Sequence, residues 1–288
     1  MSVTTPPPAR LTENQRQALI RLLADEDPVV FETIRNKLLA YGPEVMDWLK
    51  PHLLSGDPLF RKRVKAMLHH LQCQDMDNEF LTFCLRQGED LDLEDAVWLL
   101  ARTRFPEINP EGYVAILDGY AAELRLRLIG LNGAHARLGA IAFYLFQEQG
   151  FTGNEENYYD PNNSYLNKVL DRHTGNPISL CLVLLFVCQR LKLPVVGIGL
   201  PGHFICRYQT ATDEIYIDAF NRGRLATKAD CVRFLHATSR SLVDESIQPV
   251  SARKVLARIC SNLHLIYQHL AQPEDSARFQ RYAVALGR

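Results

Sequence analysis

The chain has 288 residues, of which 47% are hydrophobic and 23% are charged, as in an ordinary globular protein. Its formal net charge of −1 at pH 7 argues against a nucleic-acid partner and against an anionic membrane surface, because both require a basic face. Its seven cysteines include no Cys-x-x-Cys pair, and no apolar run is long enough to span a membrane, so we predict a cytoplasmic protein with reduced thiols.

The N-terminal region is predicted to be helical. Residues 1–10 are polar and proline-rich, and we expect a disordered tail there and no signal peptide. Residues 11–88 contain Asp27 and Asp57, each followed by a proline and then by apolar residues at helical spacing. This repeat resembles HEAT-type helical pairs. We therefore predict a HEAT-like region that acts as a structural brace or as a surface for a protein partner.

The central region, residues 89–240, is predicted to hold helices and a small antiparallel sheet. Asn176 is suited to cap a helix that has Pro177 at its first position. This helix is apolar on nearly every side, so we expect it to be buried, and it must end before Leu193, which precedes a proline. Three strands are predicted after it, over residues 195–200, 204–208 and 216–218.

The C-terminal region, residues 241–288, is predicted to be a helical hairpin. Ser251 is suited to cap a long helix, and a break at Gln272 and Pro273 precedes a second helix. The pair resembles one tetratricopeptide unit. The predicted fold class is α+β: a mostly helical chain with a small sheet packed on a central helix, HEAT-like helices before this core and a tetratricopeptide-like hairpin after it.

Three motifs resemble a known family. Residues 157–166 read NYYDPNNSYL, residues 175–180 read GNPISL and residues 201–204 read PGHF. In this order they resemble the bacterial SirB-type family of transglutaminase-like proteins, whose core also occurs in a eukaryotic F-box protein. The resemblance extends from about residue 91 to the C-terminus. It implies a papain-like core in which a nucleophile at a helix start works with a His and an Asp on neighbouring strands.

The resemblance assigns two of the three residues of this triad. Carried over residue by residue, it places His203 on the triad His and Asp218 on the triad Asp. The same register places Pro177 on the nucleophile, so the inherited triad lacks its thiol. We expect His203 and Asp218 to pair in either case, because the pair either holds the imidazole for catalysis or joins two strands through a hydrogen bond.

Two residues of the same helix are alternative nucleophiles. Ser179 is two positions after Pro177, about 200° around the helix, and is more simply a partner of the backbone. Cys181 is four positions after Pro177 and returns to nearly the same face, about 6 Å further along the axis. A cysteine on an apolar helix is more often a buried core residue than a nucleophile.

Further residues are predicted to border a cleft near His203. The turn-rich loop before the central helix is expected to form one wall of it. Arg222 and Arg224 follow the triad Asp in a tight turn and are candidates for an anionic ligand, although an arginine in a turn is usually solvated. The predicted binding residues are Asn157, Tyr158, Tyr159, Asp160, Asn163, Pro177, Gly202 and Arg222.

Two functions are compatible with this pattern. The first, which we favour, is a non-catalytic binding or scaffold protein with a degenerate triad that meets a protein partner through its helical regions. The second is a cysteine acyl-transfer enzyme, a protease, amidase or transglutaminase, that uses Cys181 with His203 and Asp218. A hydrolase with water activated by His203 is a further alternative. No cofactor is predicted, and no metal site, because the His and Cys residues lack ligand spacing.

Overall fold

The computed structural model describes residues 11–89, 91–238 and 247–287, which form two compact units. The first unit holds the described residues up to Phe80 together with Arg102–Pro106, and the second holds Leu81–Ala101 and the described residues from Glu107 onward. The predicted tail, residues 1–10, and the predicted boundary at residue 240 lie outside the described residues. The predicted domain boundaries stay predictions. Among the described residues, no helix combines the length and apolarity needed to cross a bilayer.

The first unit is helical. Its helices are α1 (Glu13–Leu22), α2 (Pro28–Leu39), α3 (Val45–Leu49) and residues 58–80 of α4 (Pro58–Arg86). The Asp27 carboxylate caps α2 by accepting the Val29 N–H at 2.8 Å, and the Asp57 carboxylate caps α4 by accepting the Leu59 N–H at 2.9 Å. Both predicted helix starts are confirmed. The apolar residues at helical spacing in the two repeats share one core: Ile34, Leu38, Val64 and Leu68.

The second unit combines helices with two small sheets, which confirms the predicted α+β class. Its further helices are α5 (Leu93–Arg102, with its last residue in the first unit), α6 (Pro110–Arg127), α7 (Ala134–Phe143), α8 (Leu166–Arg172), α9 (Pro177–Arg190), α10 (Lys228–Thr238), α11 (Ala252–His269) and α12 (Pro273–Leu286). Helix α7 continues as a π-helical turn, Tyr144–Glu148.

The larger sheet is antiparallel and has four strands in chain order. They are β3 (Val195–Leu200), β4 (His203–Gln209), β5 (Glu214–Asp218) and β6 (Arg224–Ala226), and a parallel pair of two-residue strands, β1 (Thr152–Gly153) and β2 (Thr174–Gly175), precedes them. The three predicted strands are confirmed. The remaining strands are absent from the prediction because two or three residues are too short to show an alternating pattern.

Helix α9 begins where the sequence predicts. The Asn176 side chain accepts the Ser179 N–H at 3.0 Å, and the Ser179 hydroxyl accepts the Asn176 N–H at 3.0 Å, so the two residues form a capping box with Pro177 at the first helical position. The helix is buried, as its apolar sequence indicates. One face of the sheet packs on α9, and the other packs on α10 through apolar residues that include Ile205 and Leu235.

Helices α11 and α12 form the predicted C-terminal hairpin. The Ser251 side chain caps α11 by accepting the Lys254 N–H at 3.3 Å. The rings of Tyr267 and Phe279 stack across the two helices with their centroids 5.4 Å apart. The buried Arg253 guanidinium donates to the carbonyls of Cys84, Gln87 and Ala285, which joins the hairpin to the end of α4. The likeness to a tetratricopeptide unit stays a prediction.

A glycine in the turn before β6 gives a stability test. A Cβ at Gly223 would lie 2.9 Å from the Ala142 Cβ and would collide with the Phe146 ring, and the backbone there has a φ of +71°. Gly202 has a φ of +69° but open space around its Cβ position. We expect Gly202→Ala to lower the free energy of unfolding by about 1–2 kcal/mol through left-handed strain. Gly223→Ala should lose a further ~1–3 kcal/mol through overpacking.

Urea denaturation followed by circular dichroism measures both losses. If Gly202→Ala and Gly223→Ala lose the same free energy of unfolding, the predicted collision at Gly223 is wrong, and left-handed backbone strain is the only cause of the loss.

Candidate functional site

His203 and Asp218 form a hydrogen-bonded pair. The His203 Nε2–H donates to Asp218 Oδ2 at 2.9 Å, and the two side chains are 12% and 19% exposed. The Asn221 side chain donates to the same carboxylate oxygen at 2.7 Å, and the Asn221 backbone N–H donates to Oδ1 at 3.2 Å. The carboxylate is therefore held from two sides, and it fixes the tautomer of the imidazole with the proton on Nε2.

Strand register brings the two residues together. Cys206 of β4 pairs with Ile217 of β5, so continuing the register by one residue places Asp218 opposite Ile205. His203 is two residues before Ile205 and shares its face, which makes His203 and Asp218 diagonal cross-strand neighbours. The pairing follows from the antiparallel hairpin and needs no rearrangement of the chain.

Hydrogen bonds set the charge state of Asp218. Burial alone would raise the pKa of this carboxyl, but the hydrogen bond and charge of His203 and the bonds from Asn221 outweigh burial, so the pKa lies below its ordinary value. On its other sides the imidazole meets the rings of Phe234 and Phe220, with centroids 5.7 Å and 6.2 Å away. No described residue forms a hydrogen bond with His203 Nδ1.

His203 borders a cavity of about 230 Å³ at the start of α9, which we call the helix-start cavity. The tyrosines of the loop before α8 and side chains from α11 complete its walls. Its lining residues are Tyr158, Tyr159, Asn176, Pro177, Ile178, Gly202, His203, Phe204, Arg258, Asn262, Leu265 and Ile266. A second cavity of about 550 Å³ lies on the Asp218 side of the imidazole, where Arg224, Asp230 and Arg233 are among the lining residues.

The profile of the transglutaminase-like superfamily matches residues 111–261, which include α9, the larger sheet and the start of α11. The chain belongs to the transglutaminase-like superfamily. A UPF0162 protein of Xylella fastidiosa strain Temecula1 is 33% identical over 196 residues, which cover 66% of this chain and 70% of the relative. No solved structure gives a significant match.

Two further relatives extend the comparison. A UPF0162 protein of Pseudomonas aeruginosa is 28% identical over 207 residues, which cover 71% of this chain and 75% of that protein. Mouse F-box only protein 21 is 30% identical over 237 residues, which cover 69% of this chain but 36% of that protein. This chain is therefore similar to about a third of a longer eukaryotic protein.

Pro177 and Ser179 occupy different environments in this transglutaminase-like core. Pro177 lines the helix-start cavity, which it shares with His203. Ser179 is 1% exposed, and its hydroxyl donates to the Asn163 carbonyl at 2.6 Å in addition to its place in the capping box. The hydrogen-bonding capacity of Ser179 is thus directed to the backbone.

The structure places Cys181 behind the sheet. Its side chain is fully buried, its thiol donates to the Phe204 carbonyl at 3.5 Å, and its own carbonyl accepts the Cys206 thiol at 3.7 Å. Cys206 lies on the face of β4 that packs on α9, whereas His203, an odd number of residues away, lies on the opposite face. The backbone of β4 therefore separates the Cys181 thiol from the imidazole.

The remaining cysteines share this buried character. All seven are free thiols, and six are buried, with Cys73 half-buried. Burial raises the pKa of Cys188 to about 12 and also raises the pKa of Cys206, so these thiols stay protonated at neutral pH. In the ranges 11–89, 91–238 and 247–287, no group of three or more His, Cys, Asp or Glu side chains is arranged to hold a metal ion.

Three of the predicted binding residues, Asn157, Asp160 and Asn163, take part in hydrogen bonds within or beside the loop before α8. Buried Asn163 donates to the Asn157 carbonyl at 2.8 Å and to the Tyr158 carbonyl at 3.2 Å. The Asp160 carboxylate caps the turn Pro161–Asn163. It also forms an ion pair with the Arg172 guanidinium, at a distance of 2.7 Å. These bonds hold the loop in place.

The loop presents its two tyrosines at the helix-start cavity. The Tyr159 ring stacks on His269 with a centroid distance of 4.3 Å, and the Tyr158 ring meets Phe220 edge-on at 6.2 Å. Tyr158, Tyr159, Pro177 and Gly202 therefore line one cavity together, and their role in binding stays a prediction. Arg222 lies elsewhere, beside Asn154, Glu155 and Glu156 at a different depression of the surface, and does not line this cavity.

Sequence reasoning missed three contributors to the site: Asn221, Arg258 and Asn262. Asn221 lies three residues after Asp218 in a turn. Asparagine is common in turns for conformational reasons, so the sequence does not indicate that this residue binds the Asp218 carboxylate. Arg258 and Asn262 lie one turn apart on α11 and line the cavity. One local signal is available for Arg258: it is a charged residue between the apolar positions Leu256 and Ile259.

The lowered pKa of Asp218 predicts a pH-dependent contribution to stability. Because the pKa is lower in the folded state, the contribution is present above the unfolded value, near pH 4, and is lost as pH falls through the folded value. Asp218→Asn should therefore be less stable than wild type at pH 7, with a gap that closes below about pH 4.

Urea titrations between about pH 2.5 and pH 7 measure this gap. In a His203→Gln background the same substitution should show a weaker pH dependence, because the imidazole supplies a main bond to the carboxylate. A gap that stays constant with pH would contradict the assignment.

Proposed function

We propose that this transglutaminase-like protein binds a ligand at the helix-start cavity without acyl-transfer catalysis, and that Pro177 occupies the position of the family's nucleophile. The composition of the cavity supports this proposal. His203 lines it, but no Cys, Ser, Thr, Asp, Glu or Lys side chain does so among the described residues. Acyl transfer through a covalent intermediate needs a nucleophile within hydrogen-bond reach of its base.

The position of Cys181 weighs against the alternative, a cysteine acyl-transfer enzyme. The Cys181 thiol is fully buried and bonded to the Phe204 carbonyl, behind the strand that carries His203. Reaching the imidazole would require the buried helix α9 to unwind or slide. The alternative thus depends on a conformational change of a buried helix, which a binding function does not need.

In this proposal His203 lines the binding site, and Asp218 holds the imidazole in position through a hydrogen bond. The pair joins the ends of β4 and β5, and the partly buried imidazole presents Nδ1, which has no hydrogen-bond partner among the described residues. Such an atom is suited to bind a ligand group or to activate a water molecule. The observation therefore also favours, as a second candidate, a hydrolase that uses an activated water molecule in place of a covalent intermediate.

We further propose a SirB-type protein that meets a protein partner through HEAT-like and tetratricopeptide-like helices. In the first unit, a groove of about 780 Å³ is lined by Ile20, Trp48 and Phe60 together with charged side chains such as Arg16 and Glu13. Aromatic and arginine side chains are enriched at protein-binding surfaces, and Trp48, Phe60 and Arg16 supply both kinds here. In the second unit, α11 and α12 form the hairpin that would serve the same purpose.

Alkylation tests the absence of a nucleophile. Native wild-type protein is treated with iodoacetamide across a pH series, and each cysteine is mapped by mass spectrometry. We expect Cys73, the half-buried thiol, to react, and Cys181 to stay unmodified until the protein unfolds, because its side chain is fully buried. Selective modification of native Cys181 at or below neutral pH would overturn the proposal.

Pro177→Cys supplies the matched variant. A thiol at this position stands at a helix start and in the same cavity as His203, two features that lower a thiol pKa. We expect the new thiol to react at a pH below the ordinary cysteine pKa of about 8.5. Adding His203→Ala should move the reaction to higher pH. If the pH dependence of the reaction is the same in the double variant as in Pro177→Cys alone, the imidazole does not influence the thiol at this position.

A further inference from the structure

The helix-start cavity contains a fixed cation. Arg258 lines the cavity, and its Nη2 donates to the carbonyls of Leu200 at 2.6 Å and His203 at 2.7 Å, which anchors the guanidinium to the hairpin between β3 and β4. No carboxylate pairs with Arg258 in the described part of the chain. Arg190, in contrast, is ion-paired with Glu94 and with Asp118.

An unpaired guanidinium in partly buried surroundings costs free energy. Burial lowers the pKa of the Arg258 guanidinium below its ordinary value, which shows that its surroundings disfavour the charge. Arginine nevertheless stays protonated in proteins, so the charge persists. Since no acidic side chain lines the cavity among the described residues, an anion that enters it would compensate this charge without competition.

Further hydrogen-bond donors face the same space. Asn176, Pro177 and Ile178 line the cavity at the start of α9, where the helix dipole favours negative charge. Pro177 has no N–H, and the Ser179 N–H is bound by the Asn176 side chain, which leaves the Ile178 N–H without a partner among the described residues. Asn262 adds an amide group that has no hydrogen-bond partner in the described residues.

The rest of the lining is apolar or aromatic. Phe204, Leu265 and Ile266 contribute apolar side chains, and Tyr158 and Tyr159 contribute rings. The volume of about 230 Å³ is below the ~300–1,000 Å³ of typical cofactor and drug sites. The space is therefore suited to a small acid with one apolar group, and not to a nucleotide.

We infer that the helix-start cavity binds a carboxylate that carries an adjacent apolar side chain, as at the C-terminus of a polypeptide or in a free N-acyl amino acid. The Arg258 guanidinium, the Ile178 N–H at the start of α9 and the Asn262 amide hold the carboxylate, and the aromatic and aliphatic walls hold the side chain. This inference rests on the proposed binding function of the same cavity and names the chemical class of its ligand.

Paired probes that differ in one charge test the inference. N-acetylphenylalanine and its neutral amide are titrated into the full-length protein and followed by isothermal calorimetry. We expect the acid to bind at least about tenfold more tightly than the amide, which is equivalent to ~1.4 kcal/mol. Equal affinities would overturn the role of the charge, and no binding of the acid up to about 10 mM would overturn the inference as a whole.

A second pair of probes separates the two sources of the carboxylate. A hexapeptide that ends in a free phenylalanine carboxylate is compared with its C-terminal amide. Tighter binding of the free hexapeptide than of N-acetylphenylalanine would support a polypeptide C-terminus, and binding of the small acid alone would support a free amino-acid derivative. Inorganic phosphate is the control anion. Phosphate binding in the absence of carboxylate binding would overturn the inference.

Variants localise the binding. Asn262→Asp places a negative charge of nearly the same shape in the cavity and should weaken binding of the acid at least about tenfold, by like-charge repulsion, without weakening the amide. Arg258→Gln should abolish the preference for the acid. Lys254→Gln removes a positive charge one turn earlier on α11, on its exposed side, and should leave the preference unchanged.

These outcomes are independent of the alkylation test. If Arg258→Gln fails to fold because its carbonyl contacts are lost, Asn262→Asp still decides the inference, since Asn262 forms no hydrogen bond with described residues. An unchanged acid preference in Asn262→Asp would place the ligand elsewhere. Reactive native Cys181 would overturn the non-catalytic function while leaving the calorimetric result intact.

Discussion

Helix α9 begins inside the core, where its first residues are buried. The first N–H groups of a helix have no partner inside the helix, and when they are buried they must find one elsewhere or cost free energy. Asn176 and Ser179 satisfy each other, and the Ser179 hydroxyl also reaches the Asn163 carbonyl. Asn163 in turn binds the backbone of the tyrosine loop. One hydrogen-bond network thus positions both the helix and the wall of the cavity.

Different chemical groups lie on the two sides of the larger sheet. The thiols of Cys188 and Cys206, whose pKa values are raised by burial, lie on its α9 side, and the imidazole and its carboxylate partner lie on the other side. Side chains on a strand alternate between faces, so His203 and Cys206 cannot share a side without a change of register. The half-buried Asp218 carboxylate accepts three hydrogen bonds, so the His203–Asp218 pair holds the ends of β4 and β5 together.

The C-terminal hairpin takes part in the core. Arg253 joins it to the end of α4, and Arg258 joins it to the hairpin between β3 and β4, in both cases through backbone carbonyls. These contacts place a cation and an amide group from α11 in a cavity whose other walls come from the transglutaminase-like core. A helical segment that resembles an interaction module by sequence therefore also forms one wall of this cavity.

Local sequence determined the elements whose signals act within a few residues. Asn176 and Pro177 specify the start of α9, Asp27 and Asp57 specify two helix starts, and alternating apolar residues specify three strands, because caps and short strands depend on neighbouring side chains. The order of motifs, through a family resemblance, predicted that His203 and Asp218 would pair. The side of the sheet on which Cys181 lies follows from tertiary packing. The same is true of the contribution of Arg258 and Asn262 from α11 to the cavity. Those positions depend on how helices pack across the sheet, and residues some eighty positions apart in sequence leave no local pattern of that contact.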